Sequence, residues 1–186
     1  MTGAGKPLCR YPAVMETLAF TYRPIGIVHS PYAKRIDAPH QPTVVAGTAS
    51  GAPAEATLEL DPSLPDTVLR DLAGFERVWL IFAFHLSEGW TPLVQPPRGP
   101  KGKRGVLATR SPHRPNAIGL SCVELVAVEG RTLRLRGVDL LDGTPVLDVK
   151  PYVPYADAFP GVRAGWIDAV DVATGAHSAP GPRKPR

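Results

Sequence analysis

Short apolar runs with the spacing of β-strands recur along the chain. The run at 20–29, FTYRPIGIVH, alternates between apolar and polar positions, and the run at 77–86, RVWLIFAFHL, is almost entirely apolar. Alternation is typical of a half-buried strand, whereas a continuous apolar run indicates a strand near the centre of a sheet. Six further runs predict strands at 44–50, 56–60, 105–109, 120–128, 132–138 and 144–151.

One segment has the spacing of a helix instead. The stretch LPDTVLRDL at 64–72 has a proline near its start and apolar residues at helical spacing, and Gly74 follows it. An early proline and a late glycine are the usual limits of a helix. Many short strands with one helix between them predict a mainly β fold, a small closed or nearly closed β-barrel with short helical insertions.

A Rossmann-type sheet is not expected. A parallel, doubly wound sheet needs a helix after each strand, and the chain has no Gly-x-Gly-x-x-Gly motif after a strand. The stretch GPKGKRG at 99–105 resembles a phosphate-binding loop, but its glycine spacing is wrong. We interpret it as a solvated basic loop.

The composition favours a single domain that is rich in turns. The chain has 186 residues, of which 44% are hydrophobic, 22 are proline and 18 are glycine. That length is enough to bury a core, and the prolines and glycines indicate many short elements. We expect a barrel domain at 20–175, a flexible lead-in at 1–19 and a disordered basic tail at 176–186.

Cysteine and apolar content exclude several other classes. The two cysteines, Cys9 and Cys122, belong to no Cys-x-x-Cys pair and no His/Cys cluster, so neither a disulfide framework nor a metal site is expected. No segment approaches the roughly 18 apolar residues of a membrane helix, and the first residues lack a signal-peptide pattern. The sequence predicts a soluble, cytoplasmic protein.

The distribution of charge is more informative than the net charge of +4. The stretch from 89 to 123 contains no acidic residue, which favours contact with the phosphates of a nucleic acid. The alternative is a basic face balanced by acids elsewhere in the fold. The cations of this stretch are Arg98, Lys101, Lys103, Arg104, Arg110 and Arg114.

The loop TRSPHRPNAIGLS at 109–121 combines rigidity with polar groups. Pro112 and Pro115 fix φ, so the loop has a set shape. Arg110 and Arg114 present planar cations suited to carboxylate or phosphate, and Asn116 offers both a donor and an acceptor. The sequence predicts a binding loop here, the alternative being a turn held by arginine-to-carbonyl hydrogen bonds.

Several motifs together resemble a known family. ATRSPHRPNAIGLSCVEL and VDLLDGTPVLDVKPYVPYAD, preceded by IGIVHSPY, HQP and VWLIFAFHLSEGW, are similar to the TsaA-like family, whose characterised branch is the TrmO-type tRNA methyltransferase. The resemblance spans about 22–157. It implies a small β-barrel that binds S-adenosylmethionine without a Rossmann domain, usually as a homodimer with cofactor sites near the subunit interface. The implied reaction methylates N6 of threonylcarbamoyl-adenosine, next to the anticodon of tRNA.

The same resemblance implies the cofactor contacts, although the chain departs from the family pattern at Ala117, where proline is commoner, and at Leu86, where a polar residue is frequent. The implied cofactor residues are His40, Gln41, Pro42, His85, Leu86, Arg110, Leu120, Asp139, Leu140, Leu141 and Asp142. For the tRNA we expect contacts from Lys101, Lys103, Arg104, His113, Arg114 and Asn116.

The chemistry of S-adenosylmethionine agrees with these residue types. Its carboxylate suits an arginine, its ribose diol suits a carboxylate, and its adenine suits an apolar surface. The proton released by N6 needs an acceptor, for which Asp142, His85 and Tyr152 are candidates by type. Two alternatives stay open: Asp139 and Asp142 as caps of the turn before Gly143, and a barrel that binds the cofactor but acts on a different small molecule or is not catalytic.

Overall fold

The computed structural model describes residues 19–35, 37–39, 53–97 and 101–168. The strands are β1 (Gly26–His29), β2 (Glu55–Leu60), β3 (Arg77–Ala83), β4 (Leu93–Val94), β5 (Arg104–Gly105), β6 (Ile118–Glu129), β7 (Thr132–Arg136) and β8 (Thr144–Pro151). One short α-helix, α1, spans Pro154–Asp157, and 3-10 turns span Asp66–Leu69, Leu72–Gly74, Val106–Ala108 and Gly165–Ile167. The predicted strand at 44–50, the tail at 176–186 and nearly all of the lead-in lie outside the described residues, so these parts of the domain assignment stay predictions.

Six of the strands form a closed antiparallel barrel. Their order is β1-β2-β7-β6-β3-β8, and β1 closes the barrel by pairing with both β2 and β8. The long apolar strand β3 pairs with β6 on one side and β8 on the other, as a central strand should. The predicted closed barrel is therefore confirmed. The remaining strands, β4 and β5, pair only with each other.

The strand registers define two ends of the barrel. At one end β1 and β3 finish and β6 and β8 begin, with Val28 opposite Thr144 and Ala83 opposite Ile118. We call this the His29 end. At the other end β3 begins beside the finish of β8, where Val78 pairs with Pro151. We call that end the Tyr152 end.

Alternating burial along the strands fills the interior of the barrel. In β3 the side chains of Val78, Leu80 and Phe82 are buried, and the residues between them face outwards. Gly119 in β6 faces Phe82, and a Cβ atom there would overlap the Phe82 ring. Glycine at position 119 thus allows a close approach of backbone and ring. The fully buried large apolar side chains of the core are Val28, Leu58, Val78, Leu80, Val123, Leu133, Leu135, Val138, Leu140 and Val146.

Two predicted elements are wrong. The helix expected at 64–72 is two 3-10 turns, because Asp71 adopts a left-handed conformation with φ of 67° and interrupts the helical path. The strand expected at 105–109 is mostly the 3-10 turn Val106–Ala108. Only Val106 of that apolar run is buried, and Leu107 is 76% exposed.

The other predicted strands are present with altered limits. Within 20–29 only Gly26–His29 forms a strand, and the strand at 77–86 ends at Ala83. The strand at 132–138 ends at Arg136, whereas β6 is longer than expected at both ends and β8 matches its prediction. Among the described residues, no helix could cross a membrane and no three His, Cys, Asp or Glu side chains cluster as metal ligands would.

Candidate functional site

The loops at the His29 end bring the expected cofactor residues together. Leu86 follows β3, Arg110 precedes β6, and the β7–β8 loop carries Asp139 and Asp142, so antiparallel topology delivers these positions to one end. Loops on a rigid barrel are a common setting for binding residues. His40, Gln41 and Pro42 lie outside the described residues, and their assignment stays a prediction.

A buried acid lies at the centre of this end. The hydroxyl of Ser121, which faces the barrel interior, donates a hydrogen bond of 2.6 Å to Asp139 Oδ1. Burial raises the pKa of Asp139 to about 6, although the Ser121 hydrogen bond and the charge of Arg110 act in the opposite direction. The Asp139 charge and burial also raise the pKa of Tyr32. Arg110 itself is exposed at the barrel mouth, so the site pairs an accessible guanidinium with a partly buried carboxylate.

The turn after β1 holds the β7–β8 loop in place. Ser30 Oγ donates to the carbonyl oxygen of Leu140 at 2.7 Å, and the Ser30 amide donates to Asp142 Oδ1 at 3.1 Å. The Asp142 amide in turn donates to the carbonyl oxygen of Tyr32 at 2.9 Å. His29 Nδ1 lies 3.7 Å from the same Asp142 oxygen. The Asp142 carboxylate therefore accepts a hydrogen bond from the turn after β1 and not from the turn before Gly143, and its side chain stays about half exposed.

The apolar residues expected at the site divide into two groups. The Leu140 side chain is buried in the core and is not available to a ligand, whereas Leu141 packs against the core and is partly buried. Leu86 and Leu120 are 66% and 48% exposed. Leu120 lies opposite Ile81 on the outer face of the barrel, close to where β3 ends.

The basic loop contains cations of two kinds. Lys101 and Lys103 are exposed, whereas Arg104 is partly buried with its guanidinium carbon 5.8 Å from the centre of the Trp166 ring. Arg114, His113 and Asn116 lie in the loop at 109–121, which we call the proline-rich loop. Arg114 donates from Nη1 to the carbonyl oxygen of Thr109 at 3.3 Å, which is the arginine-to-carbonyl contact of the alternative interpretation. Asn116 is exposed and His113 is partly buried.

The three candidate proton acceptors do not share one site. His85 is exposed just after β3, at the same end as Asp142. Tyr152 follows β8 at the opposite end, where its amide donates to the carbonyl oxygen of Arg77 and its ring lies 5.9 Å from that of Trp79. The barrel thus separates Tyr152 from the other two candidates.

The structure is a closed β-barrel protein with cationic, acidic and apolar side chains gathered at one end as a candidate binding site. A family model described as the tRNA-methyltransferase O N-terminal domain matches residues 27–158, and the chain belongs to this family.

Individual relatives agree with this family membership. The chain is 44% identical over 151 residues to a probable S-adenosyl-L-methionine-binding protein of Pyrococcus abyssi, covering 81% of this chain and 78% of that one. It is 40% identical over 162 residues to the tRNA (adenine(37)-N6)-methyltransferase of Escherichia coli, covering 83% of this chain and 67% of that one. The crystal structure of TrmO from Pseudomonas aeruginosa superimposes with a TM-score of 0.66 at 41% identity, covering 80% of this chain and 63% of that chain.

Some residues of the site were missed by the sequence reasoning. Ser30 and Ser121 make their hydrogen bonds to residues 110 and 18 positions away, and Trp166 contacts a residue 58 positions away. Ser121 had a usable signal, since it is a polar residue at an inward position of a strand between Gly119 and Val123. Ser30 and Trp166 had none beyond their residue type.

Proposed function

We propose that this protein is an S-adenosylmethionine-dependent methyltransferase that acts on N6 of threonylcarbamoyl-adenosine next to the anticodon of tRNA. The observation that carries the proposal is the combination at the His29 end of an exposed Arg110, a partly buried Asp139 and the exposed apolar side chains of Leu86 and Leu120. Family membership and the relatives named as tRNA (adenine(37)-N6)-methyltransferases support the same reaction and substrate class.

The residues present fit the cofactor in chemical type. The Arg110 guanidinium suits a carboxylate, and Asp142, whose position is fixed by Ser30, suits the hydroxyl groups of a ribose. The exposed side chains of Leu86 and Leu120 suit the face of an adenine ring. When bound, S-adenosylmethionine supplies an electrophilic methyl group on a sulfonium.

The role of the protein in methyl transfer is mainly positioning. The N6 nitrogen forms a bond to the methyl carbon as the carbon–sulfur bond breaks, and one proton leaves the nitrogen. Alignment of the two reactants accounts for much of the rate of such a displacement. Asp142 and His85 at the His29 end are the proposed acceptors of the hydrogen bond from N6 and of its proton. The position of Tyr152 at the opposite end argues against the same role for that residue.

Binding of tRNA is assigned to the basic loop and the proline-rich loop beside the site. Lys101, Lys103 and Asn116 are exposed there, and the surrounding sequence carries no acid from 89 to 123. Exposed lysines without neighbouring carboxylates attract phosphates at long range. Arg104, Arg114 and His113 are partly buried, so in this proposal they contribute more through the shape of the loop than through direct phosphate contact.

The proposed assembly is a homodimer joined near the His29 end. Leu86, Leu107, Ile118 and Leu120 are large apolar side chains in this region, with exposed fractions between 42% and 76%. Several exposed large apolar side chains in one region are a common feature of interaction surfaces. A subunit interface in this position would lie beside the cofactor residues.

The most direct test of the cofactor site is Arg110→Ala. Removal of the guanidinium should weaken binding of S-adenosylmethionine by at least tenfold, because a charge-assisted hydrogen bond to the cofactor carboxylate is lost. The matched control is Arg70→Ala, which removes the same charge from an exposed position in the connection at the Tyr152 end. If calorimetry gives equal affinities of the two variants for S-adenosylmethionine, Arg110 does not bind the cofactor.

A further inference from the structure

The long connection from β3 to β6 carries Arg110 and the basic loop, yet it has little regular structure of its own. In its described part, β4 pairs only with β5, and the Val106 amide donates to the carbonyl oxygen of Pro92. Phe84 and Ala117 share a hydrogen bond of 2.8 Å where the connection leaves and rejoins the barrel. These bonds lie within the connection or at its two ends, and none of them joins the segment just before Arg110 to another part of the fold.

A turn near the end of the described chain contacts that segment. Trp166 donates from Nε1 to the carbonyl oxygen of Ala108 at 2.8 Å, and its ring lies under the guanidinium of Arg104 at 5.8 Å. The turn is closed by Asp168, whose two carboxylate oxygens both lie 3.2 Å from the Ala164 amide. Trp166 therefore contacts the connection at two points: at Arg104, just before the 3-10 turn Val106–Ala108, and at Ala108, the last residue of that turn.

The contact with Ala108 bears directly on Arg110, which is two residues further along the chain. The intervening Thr109 is fixed on both sides, because its amide and hydroxyl donate to the carbonyl oxygen of Val106 and its own carbonyl accepts from Arg114. Ala108 is therefore bonded to Trp166, and the next residue, Thr109, is bonded to Val106 on one side and to Arg114 on the other.

Arg104 shows that the indole contributes more than one hydrogen bond. Its Nε atom is buried and has no hydrogen-bond partner within the described part of the chain. When the Nε atom of a partly buried guanidinium has no hydrogen bond, a ring contact helps to set the orientation of the group. The Trp166 ring supplies that contact.

We propose that Trp166 is a positioning residue for the cofactor site: it anchors the Val106–Ala108 turn and thereby fixes the direction in which Arg110 leaves the loop. The inference rests on the proposed function, since Arg110 matters only if it holds the cofactor. It adds a residue that lies beyond the stretch matched by the family model, which ends at residue 158. In this proposal the turn that carries Trp166 supports a site whose residues lie about 58 positions earlier in the sequence.

Two substitutions separate the hydrogen bond from the ring. Trp166→Phe keeps an aromatic ring beside Arg104 and removes the Nε1 donor, and Trp166→Ala removes both. The matched control is Trp90→Phe, which alters an indole that is 52% exposed in the same connection. The measurements are amide hydrogen exchange of the cofactor-free protein, the KM for S-adenosylmethionine and the melting temperature.

Trp166→Phe should speed exchange of the amides of 108–114 by about fivefold and raise the KM for S-adenosylmethionine by a similar factor, with kcat unchanged, because one hydrogen bond is lost. Trp166→Ala should raise KM more than tenfold. Exchange in β3, β6 and β8 and the melting temperature should match those of Trp90→Phe.

The proposal is overturned if Trp166→Phe and Trp90→Phe give the same exchange in 108–114. It is also overturned if that exchange rises and KM does not. Failure of the proposed function is a separate result, because then the unsubstituted protein would bind no S-adenosylmethionine while the exchange experiment, done without cofactor, would still report on the Trp166 anchor.

Discussion

At the scale of a single residue, Asp139 shows a conflict between the chemistry of a binding site and the stability of the fold. Its carboxylate receives a hydrogen bond from Ser121 and the favourable field of Arg110, yet burial dominates and raises its pKa to about 6. The charged form at neutral pH is therefore less stable in the folded protein than in water. A partly desolvated carboxylate is typical of a binding or catalytic site.

The pH dependence of stability tests this description of Asp139. The folded pKa lies above the unfolded one, so between about pH 4 and pH 6 the folded state holds more protons than the unfolded state. The contribution of Asp139 to the free energy of unfolding should fall across that window by on the order of 2 kcal/mol. Asp139→Asn has no titrating carboxyl at this position. Its free energy of unfolding should therefore increase relative to that of the unsubstituted protein as the pH rises from 4 to 7.

Urea unfolding of both proteins at several pH values measures the difference. Asp61 and Asp157 have lowered pKa values, which give the opposite pH dependence, but they are present in both proteins and cancel in the comparison. A difference that stays constant from pH 4 to pH 7 would mean that Asp139 is not desolvated.

At the scale of elements, the sequence predicted strands well and short turns poorly. Strand β8 was predicted with its observed limits and β3 with its observed start. The almost entirely apolar sequence of β3 agrees with its place between β6 and β8, where every second side chain is buried. The segments at 64–72 and 105–109 were misassigned. Both are apolar but short, and tertiary contacts rather than local periodicity decide their conformation.

The candidate site follows the same rule. Residue type and motif indicated Arg110 and the acids of the β7–β8 loop, and antiparallel closure then placed them at one end of the barrel. The contacts that Ser30 and Trp166 make could not be predicted, because each acts across a long sequence separation. Ser121 had a signal in its inward strand position, but its partner Asp139 could not be predicted from it. Such pairings are specified by the fold, which a single sequence shows only indirectly.

The basic loop is the element that the proposed function assigns to tRNA. Lys101→Gln with Lys103→Gln should weaken tRNA binding and reduce its salt dependence, because each lost phosphate contact lowers the slope of log affinity against log salt by about 0.7 to 0.9. Affinity for S-adenosylmethionine should not change. Arg104 is left intact, because its contact with Trp166 gives it a structural role.

The matched control for the lysine pair is Arg70→Gln with Lys150→Gln, which removes two charges near the Tyr152 end. Binding to tRNA is measured by filter retention at several salt concentrations. If the two double variants lose affinity equally, tRNA responds only to the overall charge of the protein and the basic loop has no special part.

At the scale of the whole molecule, closure of the barrel explains why the loops at one end are available to form the candidate site. A closed antiparallel sheet has no free edges, and most of its buried core side chains come from the strands, with Tyr32, Val138 and Leu140 added from the loops at the His29 end. The Tyr152 end is tied down by contacts such as Trp79 Nε1 to Asp157 Oδ2 at 3.0 Å. The His29 end carries instead the exposed cations, acids and apolar side chains of the candidate site.

The central claim is methyl transfer from S-adenosylmethionine to tRNA, and one incubation tests it. The purified protein is mixed with methyl-labelled S-adenosylmethionine and tRNA that carries unmethylated threonylcarbamoyl-adenosine, and the digested nucleosides are separated by mass spectrometry. We expect label at N6 of that nucleoside, and none in tRNA that lacks the threonylcarbamoyl group. Unlabelled tRNA from a protein that still binds S-adenosylmethionine would contradict the claim and would indicate a barrel that serves a different substrate.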